Sequence, residues 1–269
     1  MVQKKGTYMS QVSKLTDGVR RRLAGAIVPK EKPDLEFEKS VYYPQQPTCQ
    51  IPNLWMLYTR FLGENEGGYF VEVGAYDGIF VSNTWGLAER KWGGLMIEPV
   101  PHLAEFCREN HRSHPGVQIV EVGVGSVDSG ELNLHIAGTL TTANVGVFSE
   151  YADIAWASPS LSSQIIRVGS DTLNLILRNH NVPVGFDVLV VDVEGYETHV
   201  FSGFSMTEWK PKMMIVELAD THPDLNATAT ADAHLGSAII DAGYRIVFKD
   251  SINTVFIRQD IWETAYQEY

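Results

Sequence analysis

The stretch YFVEVGAYDG, Tyr69–Gly78, decides the fold. Four apolar or aromatic residues surround one carboxylate, Glu72, over Tyr69–Val73; Gly74 and Gly78 then bracket a tight turn that carries Asp77. A strand running into a glycine turn is how many α/β proteins approach a nucleotide. The dinucleotide form of that turn reads G-x-G-x-x-G and keeps acid out, because a pyrophosphate sits on it. Here Glu72 and Asp77 flank the turn instead. Its ligand has to tolerate glycines and negative charge together.

Outward from this stretch the chain alternates strand and helix, which predicts a doubly wound, mostly parallel sheet. Strands are expected at Tyr69–Val73, Gly94–Glu98, Val117–Val122, Phe186–Val191 and Met213–Leu218. They are apolar on both faces, as strands covered by helices on both sides must be. Helices are expected at about Asn83–Arg90, Pro101–His111, Asp171–His180 (capped by Ser170 or Asp171) and Ala231–Ala242, the last closed by Gly243. YRIVFKDSINTVFIR reads as an antiparallel hairpin turning at Ser251–Asn253, which brings the sheet to about seven strands. Residues 126–169 interrupt the alternation with a short strand, Glu131–Ile136, and a polar Thr/Ser/Ala-rich run to Ser163. A long irregular segment of this kind reads as a binding loop. Residues 31–68 form a preface, with Pro44, Pro47 and Pro52 ahead of an aromatic-rich helix near Asn53–Phe61.

The chemistry follows from the strand ends. Gly74 and Gly78 let backbone approach a ligand closely, and Glu72 is placed to hold an ammonium directly or through water. Glu98 ends the next strand, 26 residues on, where an acid grips ribose hydroxyls. Each carboxylate accepts two donors, which suits a 2′,3′-diol. S-adenosyl-L-methionine combines a sulfonium, a free amino-acid end and a ribose, and its positive centre prefers an acidic cleft. GVGSVDSG (Gly123–Gly130) imitates a dinucleotide fingerprint, but Asp128 stands at the third glycine position and the segment follows the third strand. Its expected role is to line the adenine pocket through Gly125 and Ser126.

VLVVDVEGYETHVFSG (Val188–Gly203) delivers Asp192 to the carboxyl end of a buried strand, with Glu194, Glu197 and His199 close behind. MMIVELADTHP adds Glu217, Asp220 and His222 at the end of the next strand. An alcohol acceptor needs a base or a metal to take its proton. Asp192, His199 and His222 are the candidate bases, and Asp192, Glu217 and Asp220 are candidate ligands for a hard cation such as Mg2+. The plainer alternative leaves Glu197 and His199 on a solvated helix face and His222 in an ordinary loop.

Taken together, VEVGAYDG, SNT, GGLMIEP, LVVDVEGYETHVFSG and IVEL, in this order and at compatible spacing, resemble the FkbM-type methyltransferases over about Phe70–Arg258. The resemblance implies a Rossmann-like class I methyltransferase sheet and S-adenosyl-L-methionine as methyl donor. It assigns Glu72, Gly74 and Gly78 to the first motif, Glu98 to the ribose, and Asp192, Glu194 and Gly195 to a D-x-E-G motif. Ala75, Asp77, Asn83, Pro99 and Asp192 complete the expected donor contacts. Family members methylate hydroxyls on sugars or natural products, among other acceptors, so the expected reaction is O-methylation of a sugar or small polar product. The alternatives are N-methylation of a small acceptor, or a non-catalytic binding or assembly protein on the same fold. The basic arm and the 126–169 segment match no family pattern and are expected to shape acceptor choice.

Composition narrows the partners. The net charge is −12. Residues 1–30 hold seven Lys or Arg against Asp17 alone, which leaves 14 basic and 32 acidic residues in the body. An acidic body is a poor polyanion binder, so nucleic acid is not an expected partner; a small molecule, carbohydrate among the candidates, is. No apolar run reaches the roughly 18–20 residues that span a bilayer. LAGAIV (Leu23–Val28) is short for a signal core and runs into Pro29 and Lys30. Residues 1–30 therefore read as a basic surface arm. Cys49 and Cys107 form no C-x-x-C pair, and a reducing, cytoplasmic setting is expected.

Overall fold

The computed structural model describes residues 49–63 and 67–267. The basic arm of residues 1–30, and Pro44 and Pro47 of the preface, lie outside the described residues. Ten strands are present among the described residues: β1 Tyr69–Val73, β2 Gly93–Ile97, β3 Val117–Val120, β4 Gly123–Gly125, β5 Gly130–His135, β6 Ile165–Thr172, β7 Val188–Val191, β8 Met213–Glu217, β9 Tyr244–Lys249 and β10 Asn253–Arg258. The α-helices are α1 Leu54–Leu62, α2 Trp85–Glu89, α3 Pro101–Asn110, α4 Val145–Asp153, α5 Leu173–Asn179, α6 Glu197–Ser202, α7 Met206–Trp209, α8 Ala229–Asp241 and α9 Gln259–Gln267.

Seven strands form the main sheet in the order β3-β2-β1-β7-β8-β10-β9. All neighbours are parallel except β10, which runs antiparallel to both β8 and β9. The expected terminal hairpin is therefore present. Period-two alternation sorts each central strand between two cores. Val71, Val73, Leu95, Ile97, Leu189 and Val191 face one, with α5, α6 and α8. Phe70, Met96, Val188 and Val190 face the other, with α1 and α2. A strand buried on both faces has no polar side, which is why these segments read as continuous apolar runs. The chain builds outward from β1 through β2 to β3, then returns to place β7 on the other flank of β1. The carboxyl ends of β1 and β7 thus form the topological switch point, where open α/β sheets leave a crevice.

Several local expectations need correction. Residues 126–169 are not a mainly irregular loop: β4, β6 and β5 form a second, three-stranded sheet, and α4 lies between β5 and β6. The strand at Ile165–Thr172 escaped notice because its outward residues are exposed and it carries Gly169 and Asp171. Ser170 and Asp171 belong to that strand, so α5 begins at Leu173 and its cap is Thr172, whose hydroxyl accepts from the Leu175 N–H at 3.2 Å. The hairpin turn sits one residue earlier than expected. Asp250 fixes it by accepting from the Ile252 and Asn253 N–H groups at 2.8 and 2.6 Å, and Asn253 already belongs to β10. Helix α9 was not anticipated; its Ile261 and Trp262 pack on the core that holds Leu54 and Tyr58 of α1.

Candidate active site

The glycine turn is locked to both neighbours of β1. The Gly74 and Ala75 N–H groups donate to the Ile97 carbonyl at 3.0 and 3.2 Å, and the Asp192 N–H donates to the Val73 carbonyl at 3.1 Å. Gly74 has a φ of 88°, and a Cβ there would stand 1.8 Å from the Asp192 carbonyl oxygen. Only glycine fits that contact. Tyr76, Val81 and Glu194 also hold positive φ values of 52°, 52° and 56°. Such backbone costs about 1–3 kcal/mol per residue and clusters where a site demands a fixed loop shape.

A cleft of about 650 Å3 opens at the switch point, walled by Gly74, Glu98, Pro99, Asp192 and Glu194 and floored by Val124, Leu103, Leu132 and Leu134. Glu98 is 5% exposed. Its two oxygens accept from the Tyr76 and Val100 N–H groups at 2.9 and 2.8 Å, which fixes the carboxylate and leaves lone pairs toward the cleft. Burial raises its pKa to about 7 against those hydrogen bonds. This arrangement suits a diol beside a flat apolar group, with acid nearby for a cation. The donor set therefore fits S-adenosyl-L-methionine.

Other first-motif residues hold the loop. Glu72 is buried under the SNT segment and accepts from the Thr84 hydroxyl at 2.6 Å and the Ser82 hydroxyl at 3.3 Å. Burial pushes its pKa to about 7, with Asp192 adding repulsion. Asp77 accepts from the Ile79 and Phe80 N–H groups at 2.9 and 2.7 Å and so closes its own turn. Gly78, with φ 77°, sits where a Cβ would come within 2.8 Å of Cys107 and His111. Ala75 is packed in the core. Gly123 and Val124, rather than Gly125 and Ser126, line the cleft: Gly125 lies under Gly203, and Ser126 is exposed.

At the end of β7 the carboxylates converge. Oxygens of Asp192, Glu194 and Glu217 lie within 4.8 Å of one another. At that spacing the three carboxyl groups cannot all keep full charge without a proton or a cation among them. Burial first, and mutual repulsion second, raises the pKa of Glu194 and Glu217; burial raises that of Asp192. Tyr151 donates to Glu194 at 2.7 Å, and the Glu194 N–H donates to Glu217 at 3.2 Å. Glu197 is 1% exposed, so it is not on a solvated helix face. It accepts from the Val193 N–H at 2.9 Å and the Gly195 N–H at 3.3 Å, bracing the D-x-E-G loop.

A second, much smaller pocket adjoins this group, lined by Val147, Glu150, Tyr151, Glu217 and Leu225 among others. Glu217 and Gly195 face it, while Asp192 and Glu194 face the cleft. The carboxylates therefore stand at the junction of the two spaces. Neither histidine singled out in the sequence lines either space. His199 is exposed and stacks on Tyr196 with centroids 4.0 Å apart. His222 uses Nδ1 to accept from the Asp224 N–H at 3.1 Å. Asp220 is paired with Lys249 at 2.7 Å, and Glu194 takes its place beside Asp192 and Glu217. Sequence reading also missed Tyr151 and Gln50. Both reach the site from segments distant in sequence, and neither sits in a motif.

A parallel sheet with its crevice at the β1/β7 switch point, a glycine turn and a carboxylate on the second strand is the architecture of a class I methyltransferase. The Methyltransferase FkbM domain matches residues 72–246, and the chain belongs to this family of S-adenosylmethionine-dependent methyltransferases. A search of curated proteins gave no match. Similar solved structures include an O-methyltransferase from Bacillus cereus in complex with SAH (10% identity, 94% of this chain and 96% of that one, TM-score 0.42). Others are a SAM-dependent methyltransferase from Aquifex aeolicus (11%, 84% and 97%, 0.41) and a precorrin-6y C5,15-methyltransferase from Geobacter metallireducens (9%, 76% and 86%, 0.39). Among the described residues no helix is long and apolar enough to cross a membrane.

Proposed function

We propose that the enzyme methylates a hydroxyl of an uncharged, polar small molecule, a sugar or related polyol, with Asp192 as the base. The observation that carries this reading is the cluster of the Asp192, Glu194 and Glu217 carboxyl groups at the junction of the donor cleft and the second pocket. S-adenosyl-L-methionine supplies an electrophilic methyl on a sulfonium leaving group. The chain's own work is to align the acceptor oxygen and to take its proton. A carboxylate whose pKa is raised by burial and by neighbouring acids is a better base than one in water. Burial lifts Asp192 in this way, against the hydrogen bond it accepts from Gln50.

The second pocket, narrow as it stands, marks the side from which an acceptor would reach the carboxylates. Its lining includes Glu150, Glu197, Glu217 and Asp232 and no Lys, Arg or His, which opposes a phosphorylated or otherwise anionic substrate. Trp156 packs behind the lining residue Tyr151, with ring centroids 6.4 Å apart, and its Nε1 donates to Asp224 at 3.2 Å, so it reaches a sugar only if this loop moves. In this reading residues 69–269 are the methyltransferase domain and residues 126–169 its acceptor-side insertion. The hard-cation reading has Asp192 and Glu217 as shared ligands with Glu194 in place of Asp220, and sensitivity to EDTA separates it from the base. The two thiols, Cys49 and Cys107, support a reducing, cytoplasmic setting.

The test is transfer of labelled methyl from S-adenosylmethionine into fractionated metabolites and glycans, with and without EDTA. Label in a neutral carbohydrate or polyol fraction, unaffected by EDTA, is the expected result. Loss with EDTA would replace the base by a metal; label on an amine, or none at all, would overturn the O-methylation reading.

Assigning Glu98 to the donor ribose makes a second prediction. Neutral Glu98 cannot accept from both diol hydroxyls, so donor affinity should rise as pH goes from 6 to 8 and the carboxyl ionises through about 7. Glu98→Gln should weaken binding by about 1–3 kcal/mol at pH 8 and flatten this rise. The donor's own α-amine titrates near pH 8 in both proteins, so calorimetry reads the difference between them. Identical pH curves would remove Glu98 from the ribose.

A further inference from the structure

We infer that Cys49–Ile51, outside the family-matched span, forms a strap across the site, and that Gln50 is a positioning residue for methyl transfer because it pins one oxygen of Asp192. Gln50 Nε2 donates to Asp192 Oδ2 at 2.9 Å, and its Oε1 accepts from Asn83 Nδ2 at 3.3 Å. Asn83 Oδ1 in turn accepts from the Cys49 thiol at 3.3 Å, and the Asn83 carbonyl accepts from the Tyr58 hydroxyl at 2.7 Å. Turning the Gln50 amide over would set oxygen against carboxylate oxygen and NH2 against NH2. The network therefore admits one orientation, which presents a donor to Asp192.

The strap has its own anchor. Ile51 and Leu54 are 0% and 1% exposed in the core beneath it. Its other contact, Asn83, sits between Ser82 and Thr84, whose hydroxyls hold Glu72. Gln50 thus joins the SNT segment after the glycine turn to the D-x-E-G loop, the two loops that must keep their spacing while donor and acceptor align. Asp192 is surrounded by Glu72, Glu194, Glu197 and Glu217. Repulsion from that crowd pushes its side chain about, and Gln50 offsets the push. With one oxygen fixed, the other is left for the acceptor hydroxyl. A displacement of 1 Å at such a point is enough to cost about a hundredfold in rate.

The inference rests on Asp192 being the base, so the experiment separates the two. Gln50→Leu removes the donor at similar size; Gln50→Glu is isosteric and serves if the leucine variant does not fold. Both are assayed with labelled S-adenosylmethionine against a protein-free polar metabolite extract in serial dilution, and donor affinity is measured by calorimetry. The expected result is a 10–100-fold lower maximal rate, with half-saturation in extract and donor affinity within threefold of wild type. Unchanged rate, or a loss confined to donor affinity, overturns the positioning role. Asp192→Asn reports on the base independently: near-wild-type transfer there removes the base while leaving the Gln50 result to be read by itself. If the extract carries no acceptor, thermal midpoints decide. Gln50→Glu should lower the midpoint in the Asp192 protein and not in the Asp192→Asn protein, where the carboxylate it would repel is gone; equal shifts in both would show that Gln50 does not act through Asp192.

Discussion

Asp192→Asn is expected to lower the rate of methyl transfer by about a thousandfold while leaving donor affinity within a few-fold, and to raise the thermal midpoint. The loss follows from the proposed role, since general-base catalysis contributes about 10²–10⁴-fold. Asparagine keeps the size and the acceptor oxygen for Gln50 but cannot take a proton. The gain in stability follows from crowding. Half-buried Asp192 and Glu194 share a site with buried Glu217; burial raises all three pKa values, and Asp192 adds repulsion to the two glutamates. A carboxyl whose folded pKa is raised stabilises the fold only below its unfolded value, and that contribution is lost as pH rises through the folded pKa. At pH 8 the group is therefore a net cost, and removing one member returns about 1 kcal/mol. For a chain of this size that is a rise of about 2–4 °C, shrinking as the pH falls toward 4. Functional sites hold strained or charged groups at the expense of stability, and opposite signs in rate and midpoint would identify one. A variant that binds donor poorly would instead make Asp192 a cofactor ligand. A lower midpoint would mean that Asp192 supports the loop rather than strains it.

Gly74→Ala should be the most damaging single methyl group in the protein. A Cβ at Gly74 meets the Asp192 carbonyl oxygen at 1.8 Å, a backbone atom that cannot rotate away. Neither partner is free to move, because Gly74 is bonded to Ile97 and Asp192 to Val73 across the parallel ladder. The φ of 88° adds left-handed strain of about 1–2 kcal/mol. Together these predict a loss of about 3 kcal/mol or more in stability and at least a hundredfold in donor affinity. Gly185→Ala is the matched control. Its φ of 76° is similar, but nothing lies within 4 Å of the added carbon, so it should cost only the strain and leave donor binding intact. Denaturation midpoints and calorimetric titration of the two variants separate conformational strain from close approach. Equal behaviour would mean that the contact between β1 and β7 loops relaxes at little cost.

The two variants act on opposite sides of one contact. Gly74 brings the first motif up to the Asp192 backbone, and Asp192 lines the cleft beyond it. The fold makes this meeting possible by placing β7 beside β1 across a return of more than a hundred residues.

How much of this was legible beforehand depends on the range of the interaction. Strand identity and the glycine turn were readable because they are local: period-two burial, apolar content and the φ demanded at Gly74 are written in consecutive residues. Glu98 and Asp192 were readable for a related reason, since each ends a buried strand and a parallel sheet sends all such ends to one edge. What the sequence determined was therefore the sheet, its carboxyl edge and the acids delivered there. The tertiary structure decided which side chains meet on that edge. Asp220 and Glu194 look equivalent along the chain, yet Lys249 on β9 claims Asp220 and leaves Glu194 beside Asp192. Glu72 looks free to bind a ligand until Ser82 and Thr84 fold over it. Gln50 reaches Asp192 from 142 residues away. Contacts of that kind depend on how separately formed elements pack, and no local pattern of residues records the distance between two loops.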